Sequence, residues 1–231
     1  SKKYLKRLGV KKIKYLGNLK FSQSEKNKAT KLDQISELIN YKKVWCAAST
    51  HYNEELVCGL VHKQLKKKYK NLLTIIIPRH IERTKSIVED LNKLNLNIHQ
   101  HESRKKIKNN TDIYIVNSYG KTKSVYNVCK NVFLGGSLIN HGGQNPLEAT
   151  RYGCNILHGP NIENFREIYD YLGKINLSSK VINQSQLFNK LDNLLSKKNK
   201  SKKITHKLHK IGDKILSDTY NEVYKFIENE N

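Results

Sequence analysis

Residues Phe133–Glu148 read FLGGSLINHGGQNPLE. An apolar run enters Gly135-Gly136-Ser137, a polar loop carries a second glycine pair, Gly142-Gly143, and Pro146 then suits the first turn of a helix. This is the signature of a strand that passes through a glycine loop into a helix. Glycines let backbone approach a ligand closely, and a helix start offers unsatisfied N–H groups to a phosphate. Asn145 and Glu148 stand three apart, so they share one helix face, where a carboxylate can accept two ribose hydroxyls.

The same alternation repeats on both sides of this stretch. Val44–Ala48, Leu72–Ile77, Ile98 with its neighbours, Asp112–Val116, Asn131–Leu134 and Asn155–Leu157 read as strands. Between them lie helix-period segments: one with Leu56, Leu60, Val61 and Leu65 on a single stripe, and others at about Glu82–Leu94, Thr122–Cys129, Pro146–Tyr152 and Glu163–Leu172. Strands alternating with helices predict an α/β chain, a Rossmann-like parallel sheet with helices on both faces. Ligands of such sheets bind beyond the C-terminal strand ends.

The ends of the chain differ from its middle. Residues 22–34 are polar and Lys-rich and read as a linker, which predicts boundaries at 1–34, 35–203 and 204–231. After Val181–Ile182 the pattern is helical: Ser185 as N-cap precedes Leu187, Leu191 and Leu194, and Ser196–Lys203 is a charged break. Leu208, Ile211, Ile215, Val223 and Ile227 mark a final amphipathic helix whose apolar stripe is expected to pack on a neighbouring domain.

Composition narrows the class. The 231 residues carry 43 Lys and Arg against 20 Asp and Glu, a net charge of +23. The Lys residues are spread along the chain, and the 26 Asn mark the same bias toward A/T-rich codons, so most of the charge reads as solvated surface. A basic nucleic-acid-binding module would cluster its cations on one face with aromatic stacking positions; here there are five Phe and one Trp, and no nucleic-acid partner is expected. A basic surface still favours an anionic membrane. No apolar run reaches the roughly 18 residues of a membrane span, and no signal-peptide core is present at Ser1. The chain contains no Met, which predicts a piece of a longer protein. Cys46, Cys58, Cys129 and Cys154 form no CxxC pair and read as buried free thiols in a reducing compartment.

Three further loops are candidates for chemistry. Ile77-Pro78-Arg79-His80 follows the most apolar strand; the Arg79 fork suits phosphate or carboxylate, and His80 either contacts the ligand or caps the next helix. Ser49-Thr50-His51 follows another strand, with Ser49 or Thr50 as N-cap and Glu54 in the first turn. Asn117-Ser-Tyr119-Gly120-Lys121 follows a third, with Gly120 opening the next helix. No DxD metal motif, nucleophilic triad or convincing acid–base pair is present, and no metal or cofactor is expected.

Together these segments resemble the 3-deoxy-D-manno-octulosonic acid (Kdo) transferases, glycosyltransferases of the two-Rossmann-domain (GT-B) class. The resemblance rests on Phe133–Glu148 followed by Gly153 and His158–Phe165, on Pro78-Arg79-His80, on Ser49-Thr50-His51 and on Gly17–Phe21, in consistent order over residues 1–175. It departs at His141 and Gln144, where the family has Arg and His around its glycine pair, and at Asn117 and Lys121, where it has Asp and Glu. The resemblance implies a GT-B C-terminal domain that binds CMP-Kdo as donor substrate. Implied donor contacts are Pro78, Arg79, Tyr119, Gly120, Lys121, Gly135, Gly136, Ser137, Gly143, Asn145, Pro146, Leu147 and Glu148, with Ser49, Thr50, His51, His80 and Asn164 as further candidates. Lys20 is implied as a transition-state stabiliser. An N-terminal domain outside this chain would supply the general base and bind a lipid A precursor at the cytoplasmic face of the inner membrane. Another GT-B enzyme, a UDP-sugar transferase or a nucleotide-sugar epimerase, would share this fold.

Overall fold

The computed structural model describes residues 2–23, 43–102, 107–197 and 201–228. The chain divides into two units, Ser1–Lys26 with His206–Asn231, and Asn27–Thr205. The two ends, separate in sequence, thus share a unit. Most of the expected linker, and residues 198–200 of the charged break, lie outside the described residues.

The larger unit is built on seven parallel strands: β1 Lys43–Thr50, β2 Leu72–Pro78, β3 Ile98–Gln100, β4 Ile113–Ile115, β5 Asn131–Leu134, β6 Asn155–His158 and β7 Ser178–Lys180. Their order is β3-β4-β2-β1-β5-β6-β7, with parallel pairing throughout. The chain runs from β1 through β2 to the edge strand β3, comes back to insert β4 between β3 and β2, and then starts again at β5, so the β1/β5 boundary is the topological switch point. Strand β7 is absent from the sequence reading because Ser178-Ser179-Lys180 has no apolar period to reveal it.

Side chains alternate across the sheet, since successive residues of a strand point to opposite faces. Cys46, Ala48, Ile75, Val132, Leu134 and Ile156 fill one core layer; Trp45, Ala47, Ile76, Ile113, Ile115, Phe133 and Leu157 fill the other. Both faces are covered, which explains why the strands read as continuous apolar runs. Helices α2 Glu54–Lys68, α3 Thr84–Asn92 and α7 Gln184–Ser196 close the second layer through Cys58, Val61, Leu65, Ile87, Leu91, Leu187 and Leu191. Helices α4 Thr122–Val128, α5 Leu147–Arg151 and α6 Arg166–Lys174 close the first through Val125, Tyr126, Ala149 and Tyr169.

Several local expectations are corrected. The buried stripe of α2 is Cys58, Val61 and Leu65, while Leu56 is exposed, because two positions of a helix are about 200° apart and Leu56 therefore falls on the face opposite Cys58. Neither Ser49 nor Thr50 caps α2: Thr50 is still in β1, and Asn53, in the left-handed conformation, stands before the first turn. Helix α7 is capped by Asn183, whose side chain accepts the Gln186 N–H at 3.0 Å, rather than by Ser185. The expected helices at Glu82 and Glu163 each open as a 3-10 turn, Ile81–Arg83 and Glu163–Phe165, before the α-helix.

The smaller unit holds α1 Lys2–Arg7, the 3-10 turn Leu19–Ser22 and most of α8 Ser201–Glu228. A Cβ built on Gly212 would lie 2.5 Å from the Phe21 carbonyl oxygen, so this glycine lets the α8 backbone meet the turn that carries Lys20. Lys14 pairs with Glu222. Val223 and Ile227, at the end of the apolar stripe, are exposed. No helix among the described residues is long and apolar enough to cross a membrane.

Candidate functional site

The loops after β1, β2, β5 and β6 leave the sheet at its C-terminal edge. Those after β1 and β5 are joined by a residue that the sequence placed only as a helix-cap partner. Glu54, 1 % exposed at the start of α2, accepts the backbone N–H groups of Gly136 (2.7 Å), Ser137 (3.1 Å) and Leu138 (3.0 Å) from the β5 loop, and that of His51 (3.0 Å) from its own loop. A carboxylate buried on this scale needs such donors, because it has no water to solvate it. The glycine loop therefore turns these three N–H groups onto a protein carboxylate at the switch point.

The tight fit explains the glycines. A Cβ on Gly135 would sit 2.5 Å from the Ser49 carbonyl oxygen and 2.7 Å from a Glu54 carboxylate oxygen. Gly136 adopts φ +64°, in the left-handed region, and its missing side chain makes room for His51 and His141. Gly143 N–H donates to the Gly136 carbonyl at 2.8 Å and closes the loop. Ser137 is fully buried; its hydroxyl donates to the Leu134 carbonyl (2.5 Å) and accepts the Gly159 N–H (2.7 Å), which braces the β5 loop against the β6 loop.

The β1 loop is strained. Ser49, a non-glycine residue, has φ +54° at an irregularity in the β1–β2 register. Its carbonyl lies 3.1 Å from His51 Nδ1. The Arg79 N–H donates to the Thr50 carbonyl, which sets Pro78 and Arg79 beside this turn, with the Arg79 side chain exposed. Arg83 makes a two-pronged ion pair with buried Glu55 (3.1 and 3.2 Å) and lies over the Tyr52 ring. His51 meets His141 at 4.1 Å and His80 at 5.9 Å between ring centroids. Burial, then His141 and His80, hold the His51 pKa below the usual histidine range.

Past the second glycine pair, Asn145 is exposed and its side-chain oxygen accepts the N–H of Leu147, the first residue of the short α5, at 3.1 Å. Pro146 occupies the N-cap position, Leu147 is in the core, and Glu148 is half-buried in the first turn. Asn164 packs on Gly142 and donates to the His141 carbonyl at 3.4 Å. The Gln144 carbonyl accepts the Tyr169 hydroxyl at 2.8 Å.

The structure thus gathers Ser49–His51, Pro78–His80, Gly135–Glu148 and Asn164 at one edge. Tyr119, Gly120 and Lys121 follow β4, which is separated from β1 by β2; Tyr119 and Gly120 are exposed there. Lys20 belongs to the smaller unit, exposed on its 3-10 turn. The hold of Glu54 on the β5 loop escaped the sequence reading because those partners lie 82 to 84 positions away.

Comparison with known proteins gives this edge a context. No family model matches the chain. Among curated proteins, 3-deoxy-D-manno-octulosonic acid transferases match it: that of Haemophilus influenzae is 31 % identical over 166 residues, 71 % of this chain and 39 % of the relative. That of Rickettsia conorii is 30 % identical over 95 % of this chain and 48 % of the relative, and that of Aquifex aeolicus 32 % identical over 85 % and 52 %. The chain spans about half the length of these relatives. Among solved structures, the C-terminal CMP-Kdo binding domain of WaaA from Acinetobacter baumannii superimposes with a TM-score of 0.71 at 27 % identity, over 84 % of this chain and 98 % of that domain. A UDP-forming trehalose-phosphate synthase from Burkholderia xenovorans has a TM-score of 0.53 at 11 % identity, a likeness of fold alone. By sequence and by its GT-B-like fold, the chain belongs to the 3-deoxy-D-manno-octulosonic acid transferase family.

Proposed function

We propose that this chain is the donor-nucleotide-binding half of an inverting glycosyltransferase that moves Kdo from CMP-Kdo to a lipid A precursor, lipid IVA. The observation that carries the reading is the likeness, over 98 % of its length, to a domain described as binding CMP-Kdo. The conjunction of the β1, β2 and β5 loops at the switch point supports it, since ligands of open parallel sheets lie there.

In this reading an acceptor hydroxyl attacks the anomeric carbon of Kdo and CMP leaves, so negative charge grows on the CMP phosphate. Groups that face that charge in fixed positions lower the barrier. Gly135, Gly136 and Gly143 shape the loop beside the phosphate, Asn145 and the start of α5 face it, and Glu148 holds the ribose. Pro78 and Arg79 bound the cytidine side. The general base that deprotonates the acceptor belongs to the family's N-terminal domain, as does the acceptor site, so this chain alone binds donor without turnover. The reading places the enzyme at the cytoplasmic face of the inner membrane, where a net charge of +23 favours anionic lipid.

Calorimetric titration with CMP, UMP and duplex DNA tests this. Weak binding selective for CMP, lost in Glu148→Ala, is expected. Absence of CMP binding together with tight, salt-sensitive DNA binding would overturn the reading and make the charge the functional feature.

A further inference from the structure

Three histidine rings meet where the β1, β2 and β5 loops converge, and the inner one carries an unsatisfied atom. His51 is 7 % exposed, whereas His80 and His141 are exposed. His51 Nδ1 faces the Ser49 carbonyl oxygen, which can only accept, so Nδ1 carries the hydrogen and Nε2 a bare lone pair. His51 Nε2 is buried and has no hydrogen-bond partner among the described residues. Buried polar atoms are nearly always paired, and an exception at the mouth of a ligand crevice points to a missing partner. Among the described residues no group of His, Cys, Asp and Glu is arranged to hold a metal ion.

The charged groups around the ring are accounted for from each side. His141 comes from the β5 loop and His80 from the β2 loop, the latter 3.3 Å from Glu82. From α2, Glu54 is taken up by backbone N–H groups and Glu55 by Arg83, so neither serves His51 Nε2 as counter-ion. The surroundings are thus poor in free negative charge and rich in groups that become cationic on protonation.

We propose that His51, flanked by His141 and His80, is a phosphate subsite that becomes cationic only when occupied. A bound phosphate dianion draws one proton from solvent onto Nε2, which then donates it to a phosphate oxygen; when the ligand leaves, the proton returns to solvent. The exposed His141 ring, tilted against His51, turns aside to admit the ligand. The inference rests on the donor-nucleotide reading and refines it. As CMP departs, its phosphodiester monoanion becomes a monoester dianion, and a site that gains a proton in step matches that change.

The test is calorimetric titration of this chain with CMP at pH 7.5, where the phosphate, with its second pKa near 6, is almost wholly dianionic. Parallel titrations in Tris and PIPES, buffers of different protonation enthalpy, give the protons exchanged. Net uptake of a proton is expected with the wild-type chain. In His51→Gln the uptake disappears and CMP binds about tenfold more weakly, the scale of one hydrogen bond to a charged group. Should that variant not fold, the pH profile of the wild-type uptake decides: uptake that fades between pH 7 and 9 assigns it to histidine, and uptake that grows toward pH 10 assigns it to lysine and overturns the subsite. CMP binding without proton uptake also overturns it while leaving the donor reading standing. If CMP fails to bind, the donor reading falls, and sulfate, a dianion that does not titrate in this range, decides the subsite: uptake retains it and none overturns it.

Discussion

The carboxylate of Glu54 accepts the backbone N–H of Gly136 at 2.7 Å, binding the helix that follows β1 to the glycine loop across 82 positions of sequence. The same carboxylate holds Ser137 and Leu138, so the shape of the loop is set by a buried charge. Glu54→Gln keeps the side-chain length but turns an amide donor toward N–H groups that need an acceptor. A loss of about 3 kcal/mol in stability is expected, the upper scale for an unsatisfied buried polar group. Urea unfolding followed by fluorescence of Trp45, the sole Trp and fully buried in β1, measures it.

Gly135 and Gly120 should respond differently to the same added methyl. At Gly135 a Cβ would meet Ser49 oxygen, Thr50 Cα and Glu54 within 2.7 Å. Gly135→Ala therefore forces the β1 and β5 loops apart and abolishes nucleotide binding together with a loss of several kcal/mol, on the order of 3 or more. At Gly120, φ is +79° but nothing lies within 4 Å of a built Cβ. Gly120→Ala pays only the left-handed backbone penalty, about 1 kcal/mol. Comparing the two urea midpoints checks the ranking.

Asp112 makes stability depend on acid. Burial pushes its carboxyl pKa up, but hydrogen bonds from His62, Lys66 and the Asn97 N–H outweigh this and hold it well below the usual carboxylate range. A group depressed in the folded state contributes stability that is present above its unfolded pKa of about 3.9 and lost as pH falls below that value. The wild-type chain is expected to lose stability below about pH 4 through this residue. Asp112→Asn should lose about 2 kcal/mol at pH 7 and show a flatter acid limb, since the charge is gone at every pH. Unfolding midpoints between pH 7 and 2.5 read both effects.

The four thiols should be silent in the folded chain. Cys46, Cys58, Cys129 and Cys154 are free and buried, and burial raises each pKa, that of Cys129 to about 12. Only the thiolate attacks a disulfide reagent. Reaction with an aromatic disulfide at pH 8 should therefore be slow in buffer and release all four equivalents in denaturant; rapid reaction of any thiol in the native chain would contradict the packing around it.

Much of the architecture was legible because its cause is local. Leu72–Pro78 is buried at every position and apolar at all but Thr74 since both faces of the sheet are covered, and that run announces a central strand without further information. Gly135-Gly136 and Pro146 likewise punctuate a strand, a loop and a helix start through backbone rules that act within a few residues. Ser178–Lys180 was not legible: an edge strand of Ser, Ser and Lys owes its conformation to pairing with Ile156–His158, not to its own propensity.

The candidate site divides the same way. The sequence by itself determined which loops follow strands and which residues, from Ser49–His51 to Asn145–Glu148, can line the edge where those loops end. Only the tertiary structure decided the strand order that places β1 beside β5, and with it the meeting of Glu54 with Gly136 and of His51 with His141. The physical reason is that strand periodicity records which face of a strand is buried, while the neighbour across the sheet is chosen by packing over the whole core. A carboxylate or a histidine looks alike in sequence whether it caps its own helix or reaches a loop more than eighty residues away.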